Sequence, residues 1–371
     1  MIALAARSLT EKMPALPEAS EPLTYAASGV DLEADAVRIK DIVTQVKRTH
    51  QGQPVIPLPG GFAGGINVLE MEEPIVACTD GVGTKTILHS LCGTFEYAGR
   101  DVVANNINDL IVTGATPTAF LDYLAMSDLP EGAVVDVVRG VATACIEDGI
   151  ALISGETAEM PDIYASGHFD LAGTALGVLR RGDRIDPAEI CAGDIVISLS
   201  SGGLMTNGYS LARAALGIGG DDSEGESRQL LETRPIELSG ESVGEALTRP
   251  HPSFWKQVDR LRKDEIRLKG MAHITGGGIA GNLGRIIPDH LSADIDPGAW
   301  AIPPIFGLVQ ERGSIQSEEM FRVFNMGLGI ICILSPEDFE DVALKETGFF
   351  QVGEISRTDS SSRVNLKGLA N

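Results

Sequence analysis

Pro74-Ile-Val-Ala-Cys-Thr-Asp-Gly-Val-Gly-Thr-Lys85 is the stretch around which the chain is organised. Its apolar run, 75–78, reads as a short buried strand. The run ends in Asp80, Gly81, Val82 and Gly83. Two glycines let the backbone turn tightly and come close to a ligand. Asp80 offers a hard oxygen suited to Mg2+. Lys85, just past the turn, offers an ammonium suited to a phosphate. The group reads as a Mg-nucleotide site or, equally, as a strand–helix turn with solvated charges, and these residues alone leave both open.

Downstream, 97–113 has helical patterning. Asp101, Asn105, Asn108 and Asp109 fall on one stripe of this otherwise apolar helix. Short acids and amides there favour a metal or ligand face over a solvated one, which would carry longer charged side chains. A strand is expected over 118–126, with Asp122 inside an apolar run that must give it a partner. An amphipathic helix follows over 132–148, then a strand over 150–153 ending in Ser154-Gly-Glu156, and another strand over 169–179. Glu156 repeats the pattern of a carboxylate after a glycine at a strand end, where α/β folds gather ligands. Upstream, 31–49 reads as a helix with Asp31 as N-cap; Lys40 and Lys47 share one of its faces. The glycine-rich loop over 57–67 is a candidate lid without the Gly-Lys-Ser/Thr of a Walker loop.

A charged segment with Pro187, 180–191, marks a domain boundary. Beyond it come a strand over 194–199, helices over 207–216 and 254–263, and strands over 329–334 and 350–355. The segment 219–226 reads as an exposed loop. Gly276, Gly278 and Gly281 spell G-x-G-x-x-G, but Pro288 cuts the following helix early. A glycine-rich helix start that binds one phosphate fits better than a dinucleotide fold, with a plain turn as the alternative.

The 371 residues suffice for two cored domains. A net charge of −23 argues against nucleic acid or an anionic membrane as partner. It leaves room for a phosphorylated small molecule held through Mg2+. No run is long and apolar enough to span a bilayer. Residues 1–24 read as a mobile arm rather than a signal peptide. The cysteines form no C-x-x-C pair, and Cys78, Cys145 and Cys332 sit in apolar patterns, which suggests the reducing cytoplasm.

Taken together, Tyr25-Ala-Ala-Ser-Gly-Val-Asp31, Arg38-Ile-Lys40, Thr79-Asp-Gly-Val-Gly-Thr-Lys85, Asn108-Asp-Leu110, Phe120-Leu-Asp-Tyr123, Gly155-Glu-Thr-Ala-Glu-Met-Pro161, Asn207-Gly-Tyr-Ser-Leu211, Ala272-His-Ile-Thr-Gly-Gly-Gly278 and Phe324-Asn-Met-Gly327 resemble the aminoimidazole ribonucleotide synthetase family, the phosphoribosylformylglycinamidine cyclo-ligases of purine synthesis. Each motif alone is weak; all of them in the family's order are specific. The resemblance implies two α/β (α+β) domains: 25–182 for ATP binding and dimerisation, and 183–371 for substrate. It implies a homodimer paired through the first-domain sheets, with ATP, Mg2+ and, as a further candidate, K+. It implies an ATP-driven ring closure of a phosphorylated ribonucleotide. Lys40, Gly81, Gly83, Thr84, Lys85 and Asn108 would meet ATP. Asp80, Asp109 and Glu156 would hold metal. Asn207, His273, Gly276, Gly277 and Gly278 would face substrate, and His273, Asp80 and Lys85 would be catalytic.

Two positions depart from the family pattern. Met205 stands where a histidine is usual, and Pro250-His251-Pro252 replaces a Pro-Thr-Arg-like segment. Met205 cannot shuttle a proton. Either that histidine is dispensable, or His251 or His273 covers for it, or the chain is a divergent, even non-catalytic, paralogue. Thiamine-phosphate kinases, selenophosphate synthetases and the hydrogenase-maturation dehydratases are alternatives in the same fold group. The last two would want a reactive cysteine before Cys78 or at the C-terminus.

Overall fold

The computed structural model describes residues 22–28, 47, 50, 54–56, 58–61, 63–68, 72–219, 224–344 and 347–369. Lys40, and most of the helix expected over 31–49, lie outside the described residues.

The first sheet is built from β1 (Val55–Ile56), β2 (Gly64–Ile66), β3 (Ile75–Gly81), β4 (Thr116–Met126), β5 (Ala151–Glu159) and β6 (Phe169–Val178), in the order β1-β2-β3-β6-β4-β5. Helices α1 (Lys85–Cys92), α2 (Phe95–Ile111) and α3 (Ala133–Asp148) connect these strands. β4 and β5 run parallel, so the chain must cross over between them, and α3 is that crossover. In β6 the alternation is clean: Phe169, Leu171, Gly173, Ala175 and Gly177 are buried, and the residues between them are not. That is the pattern of a sheet covered on one face. The covering layer is tight, because a Cβ on Gly99 would lie 2.1 Å from the Val137 carbonyl and one on Gly140 1.9 Å from the Glu96 carbonyl. Only glycine lets α2 and α3 approach this closely.

The second sheet follows the order β12-β9-β11-β7-β10-β8, with β7 (Ile195–Ser200), β8 (Gly270–His273), β9 (Leu291–Ile295), β10 (Leu328–Leu334), β11 (Phe350–Arg357) and β12 (Val364–Leu366). Its helices are α4 (Tyr209–Leu216), α5 (Glu224–Glu232), α6 (Val243–Thr248), α7 (Trp255–Lys263), α8 (Gly278–Leu283), α9 (Pro304–Gly313), α10 (Ser317–Val323) and α11 (Pro336–Leu344). Every residue of β10 is buried, as its unbroken apolar sequence requires of a strand packed on both faces. The sequence boundary at 182/183 falls between the last strand of the first sheet and the first strand of the second.

Several expectations need correction. The 57–67 segment is not a free lid where it is described: Gly64–Ile66 pairs antiparallel with β3, adding to the sheet. The strand expected to stop at residue 153 continues to Glu159, held along its length by β4. The loop expected over 219–226 gives way to α5 from Glu224. Tyr25, assigned to the first domain, packs in the core of the second. Its amide donates to Glu319 Oε1 at 2.9 Å, and the Leu23 amide donates to the Gly313 carbonyl at 3.3 Å. Among the described residues no helix is long and apolar enough to cross a membrane.

Candidate active site

Helix α2 lies between the domains, and its polar stripe divides into a sealed part and an open part. In the sealed part, Asp101 Oδ2 stands 2.6 Å from Lys85 Nζ and 2.9 Å from His89 Nε2, with none of the three side chains exposed. Lys85 also donates to the Arg249 carbonyl at 2.8 Å, and the His251 amide donates to Asp101 Oδ1 at 2.7 Å. Burial lowers the pKa of Lys85 and of His89, and Asp101 opposes both shifts. A buried ion pair survives only with partners this complete. In this structure Lys85 is thus held inside the cluster, away from the groove, and not where its expected ATP and catalytic roles would put it. The α1 turn carries it inward because Thr84, not Lys85, holds the exposed position.

Asn108 is corrected in the same way. It is fully buried, its Oδ1 accepts from the Phe254 amide at 2.9 Å, and its Nδ2 donates to the Pro252 carbonyl at 3.0 Å and to His251 Nε2 at 3.1 Å. It clamps the second domain to α2 rather than facing ATP.

The open part is formed by Asp80, Asn105 and Asp109. Asp80 Oδ1 accepts from the Gly81 amide at 2.7 Å, and Oδ2 from Asn105 Nδ2 at 2.9 Å. Its carboxylate is reached by solvent at the mouth and enclosed by protein elsewhere. That desolvation, with nearby Asp109 adding to it, pushes the Asp80 pKa above the ordinary aspartate range, against the hydrogen bonds from Gly81 and Asn105. Asp109 is partly open, and its Oδ1 meets His273 Nδ1 at 2.8 Å. Gly83, at φ +67°, and Thr84 are exposed at the rim, with Thr84 Oγ1 3.4 Å from Ser210 Oγ of the second domain.

From the second domain, Asn207 and the glycine loop come to the same groove. A Cβ on Gly276 would lie 3.3 Å from Asn207 Oδ1. Gly277, at φ +95°, caps α8. Gly278 is needed for a different reason: a Cβ there would sit 2.0 Å from the Phe321 carbonyl. His273 is fully buried, with Nδ1 on Asp109 and Nε2 3.1 Å from His251 Nε2. In this structure both ring nitrogens meet protein groups, so His273 stands behind Asp109 rather than open to the groove as its expected substrate and catalytic roles would have it.

Glu156 is not part of this cluster. The register across the sheet aligns Asp80, Gly173, Asp122 and Gly155 in one row. Glu156 is in the next row, on the other face, about 14 Å from β3 at ~4.8 Å per strand. Among the described residues Asp122 meets no cation; its carboxyl packs beside Gly155, whose added Cβ would be 2.4 Å from Oδ1, and burial raises its pKa. Among the described residues no three His, Cys, Asp or Glu side chains form a ready metal cage. Sequence reasoning missed Thr206 as a site residue, although it adjoins Asn207. It left Asn105 unassigned within the stripe.

The chain matches the family models for the AIR synthase related protein, N-terminal domain over residues 63–179 and C-terminal domain over 192–364. A phosphoribosylformylglycinamidine cyclo-ligase of Desulfitobacterium hafniense is 42% identical over 341 residues, covering 90% of this chain and 96% of the relative. One from Carboxydothermus hydrogenoformans is 40% identical over 354 residues, covering 93% and 99%. The chain belongs to the phosphoribosylformylglycinamidine cyclo-ligase family. Among solved structures, AaThiL complexed with AMPPCP and TMP aligns at TM-score 0.59 with 15% identity, over 89% of this chain and 93% of that one. E. coli HypE aligns at 0.55 with 18% identity, over 80% and 82%. At such identities these two report the fold alone. Within the cyclo-ligase pattern, Met205 is buried in the core at φ +62°, and His251 is buried beside it in sequence-distant contact with Thr206.

Proposed function

We propose that this chain closes the imidazole ring of aminoimidazole ribonucleotide, using formylglycinamidine ribonucleotide and ATP and releasing ADP and phosphate. The observation that carries the site is the placing of Asp80 and Asp109 at the mouth of the interdomain groove, two carboxylates near enough that Asp109 adds to the rise of the Asp80 pKa, and both partly open to solvent. Such a pair fits Mg2+, which takes one or two carboxylates and completes its shell with phosphate oxygens and water. The raised Asp80 pKa fits too, since a bound cation would offset the desolvation, and the smaller repulsion from Asp109, that raise it. Bound there, Mg2+ would neutralise charge on the triphosphate.

The remaining work belongs to the chain. Amide oxygen is a poor leaving group, so the γ-phosphoryl is transferred to the formyl oxygen. The amidine nitrogen then attacks the formyl carbon, the C–O bond breaks and phosphate leaves. Phosphoryl transfer depends mostly on positioning and charge neutralisation. Gly83 and Thr84 line the nucleotide end with backbone amides, and Gly81 holds the Asp80 carboxylate beside them. Asn207, Gly276 and Gly277 receive the ribonucleotide. K+ is a further candidate ion.

We also propose a homodimer. Thr79, Tyr123, Thr174 and Leu176 lie on the first sheet's other face, where Thr174 Oγ1 donates to Thr79 Oγ1 at 3.2 Å. Tyr123 is 42% exposed and no described element covers it, so a second copy's sheet suits this face. We place the enzyme in the cytoplasm: Cys78, Cys145 and Cys332 are buried free thiols, and burial raises the pKa of each. The test is phosphate release from Mg-ATP by purified protein. Release dependent on formylglycinamidine ribonucleotide is expected. Release without it, or with thiamine phosphate in its place, would overturn the reading.

A further inference from the structure

His251 has no place in the mechanism above, yet it is the point from which both open carboxylates are held. Its backbone amide is fixed by Asp101 Oδ1 at 2.7 Å, inside the sealed Lys85–Asp101–His89 cluster. Its ring is fully buried, and burial, with His273 and Lys85 adding to it, keeps the imidazole well below the usual histidine pKa and therefore neutral. A neutral ring carries one hydrogen, and the neighbours decide where. Asn108 is oriented by the Phe254 amide on its Oδ1, so its Nδ2 donates to His251 Nε2. Nε2 therefore accepts, and the hydrogen is on Nδ1.

Two routes leave the ring. From Nδ1 the hydrogen goes to Thr206 Oγ1 at 3.3 Å, Thr206 donates to Asn105 Oδ1 at 3.1 Å, and Asn105 Nδ2 donates to Asp80 Oδ2 at 2.9 Å. On the other side His251 Nε2 lies 3.1 Å from His273 Nε2, and His273 Nδ1 lies 2.8 Å from Asp109 Oδ1. One route ends on a strand tip and the other on α2, and both pass through side chains of the second domain. Each bond is buried or nearly so, where an unmet partner costs most.

We propose that His251 is a positioning residue that sets Asp80 and Asp109 at the separation a Mg-bound triphosphate requires, and ties that separation to the docking of the second domain. The proposal rests on the assignment of these two carboxylates to the Mg-ATP end of the site. It also accounts for a departure from the family pattern. The histidine at 251 does not replace the proton chemistry of the residue missing at 205, since no solvent reaches it; it aligns ligands from inside the core.

The test compares His251→Ala, His251→Gln, Thr206→Val and Asp80→Asn in three measurements: Mg-ATP affinity by calorimetry, KM and kcat for each substrate, and thermal unfolding. Thr206→Val cuts the route to Asp80 and, besides it, a longer bond from Asn207 Nδ2 at 3.4 Å, and should weaken Mg-ATP affinity about 10-fold, at the lower end for residues that orient metal ligands. The KM for the ribonucleotide should change little. His251→Ala should do the same and more. His251→Gln, whose amide can accept from Asn108 Nδ2, should recover part of the loss. If His251→Ala does not fold, the other two variants carry the comparison. Loss of unfolding temperature with wild-type Mg-ATP affinity in Thr206→Val and His251→Gln would overturn the role of His251 alone. Wild-type turnover in Asp80→Asn would overturn the site assignment, and the proposal with it.

Discussion

Asp101 and Asp109 stand on one helix, about two turns apart, and the protein treats them in opposite ways. Asp101 is sealed and answered by a lysine and a histidine. Asp109, 14% exposed, meets His273, feels the charge of Arg285 and looks across at Asp80, whose side-chain oxygens accept from an amide side chain and a backbone N–H. Where the chain supplies a full cation, the acid serves the fold. Where the acid stays partly open to the groove, its charge is available to a ligand.

The largest expected effect tests the open half. Asp80→Asn should lower turnover by about 10³-fold, the scale for removing a preorganised charge from a site, while the far-UV spectrum stays that of the wild type. Unchanged phosphate release would break the comparison. The sealed half should respond in stability instead. Lys85→Met strands Asp101 and should cost about 3–5 kcal/mol in denaturant unfolding. Adding Asp101→Leu should return part of that loss, because a pair of apolar groups avoids the stranded charge. A mild phenotype for Lys85→Met, paired with lost ATP affinity, would place the lysine in the site after all.

A smaller effect sharpens the contrast. The folded-state pKa of Asp80 is raised, so its ionisation works against folding: the favourable contribution is present at low pH and lost as pH rises through the folded pKa. Asp80→Asn should therefore unfold at a slightly higher temperature than wild type at pH 7. That gap should close as the pH falls through the carboxylate range, where wild-type Asp80 is protonated too. A gap that widens in acid would contradict the shift. The smallest expected effect on catalysis is that of Met205→His. Turnover should stay level or rise, and the buried imidazole should cost about 1–3 kcal/mol of stability. A collapse of turnover in a folded variant would show that Met205 takes part.

Much of this was readable from the chain. The apolar run before Asp80 is β3, and the stripe through Asp101, Asn105, Asn108 and Asp109 does face a polar seam. The stripe could not reveal which of its members look outward. That depends on what packs on each turn of α2, and the packing partners Lys85, His251 and His273 come from three separate segments. Glu156 was misread for a related reason. A carboxylate after a glycine looks alike on any strand, but the face it takes is set by register with β4, which no local pattern records.

The order of motifs, the two-domain division and the membership of the family were determined by the sequence, because each depends on residue type and spacing along one line. Which acids are neutralised and which remain charged was decided only by the tertiary structure. Charge is expensive or useful according to the dielectric and the partners around it, and those partners here are brought together from across some 190 residues, from Asp80 to His273, by the docking of one sheet against the other domain's helix.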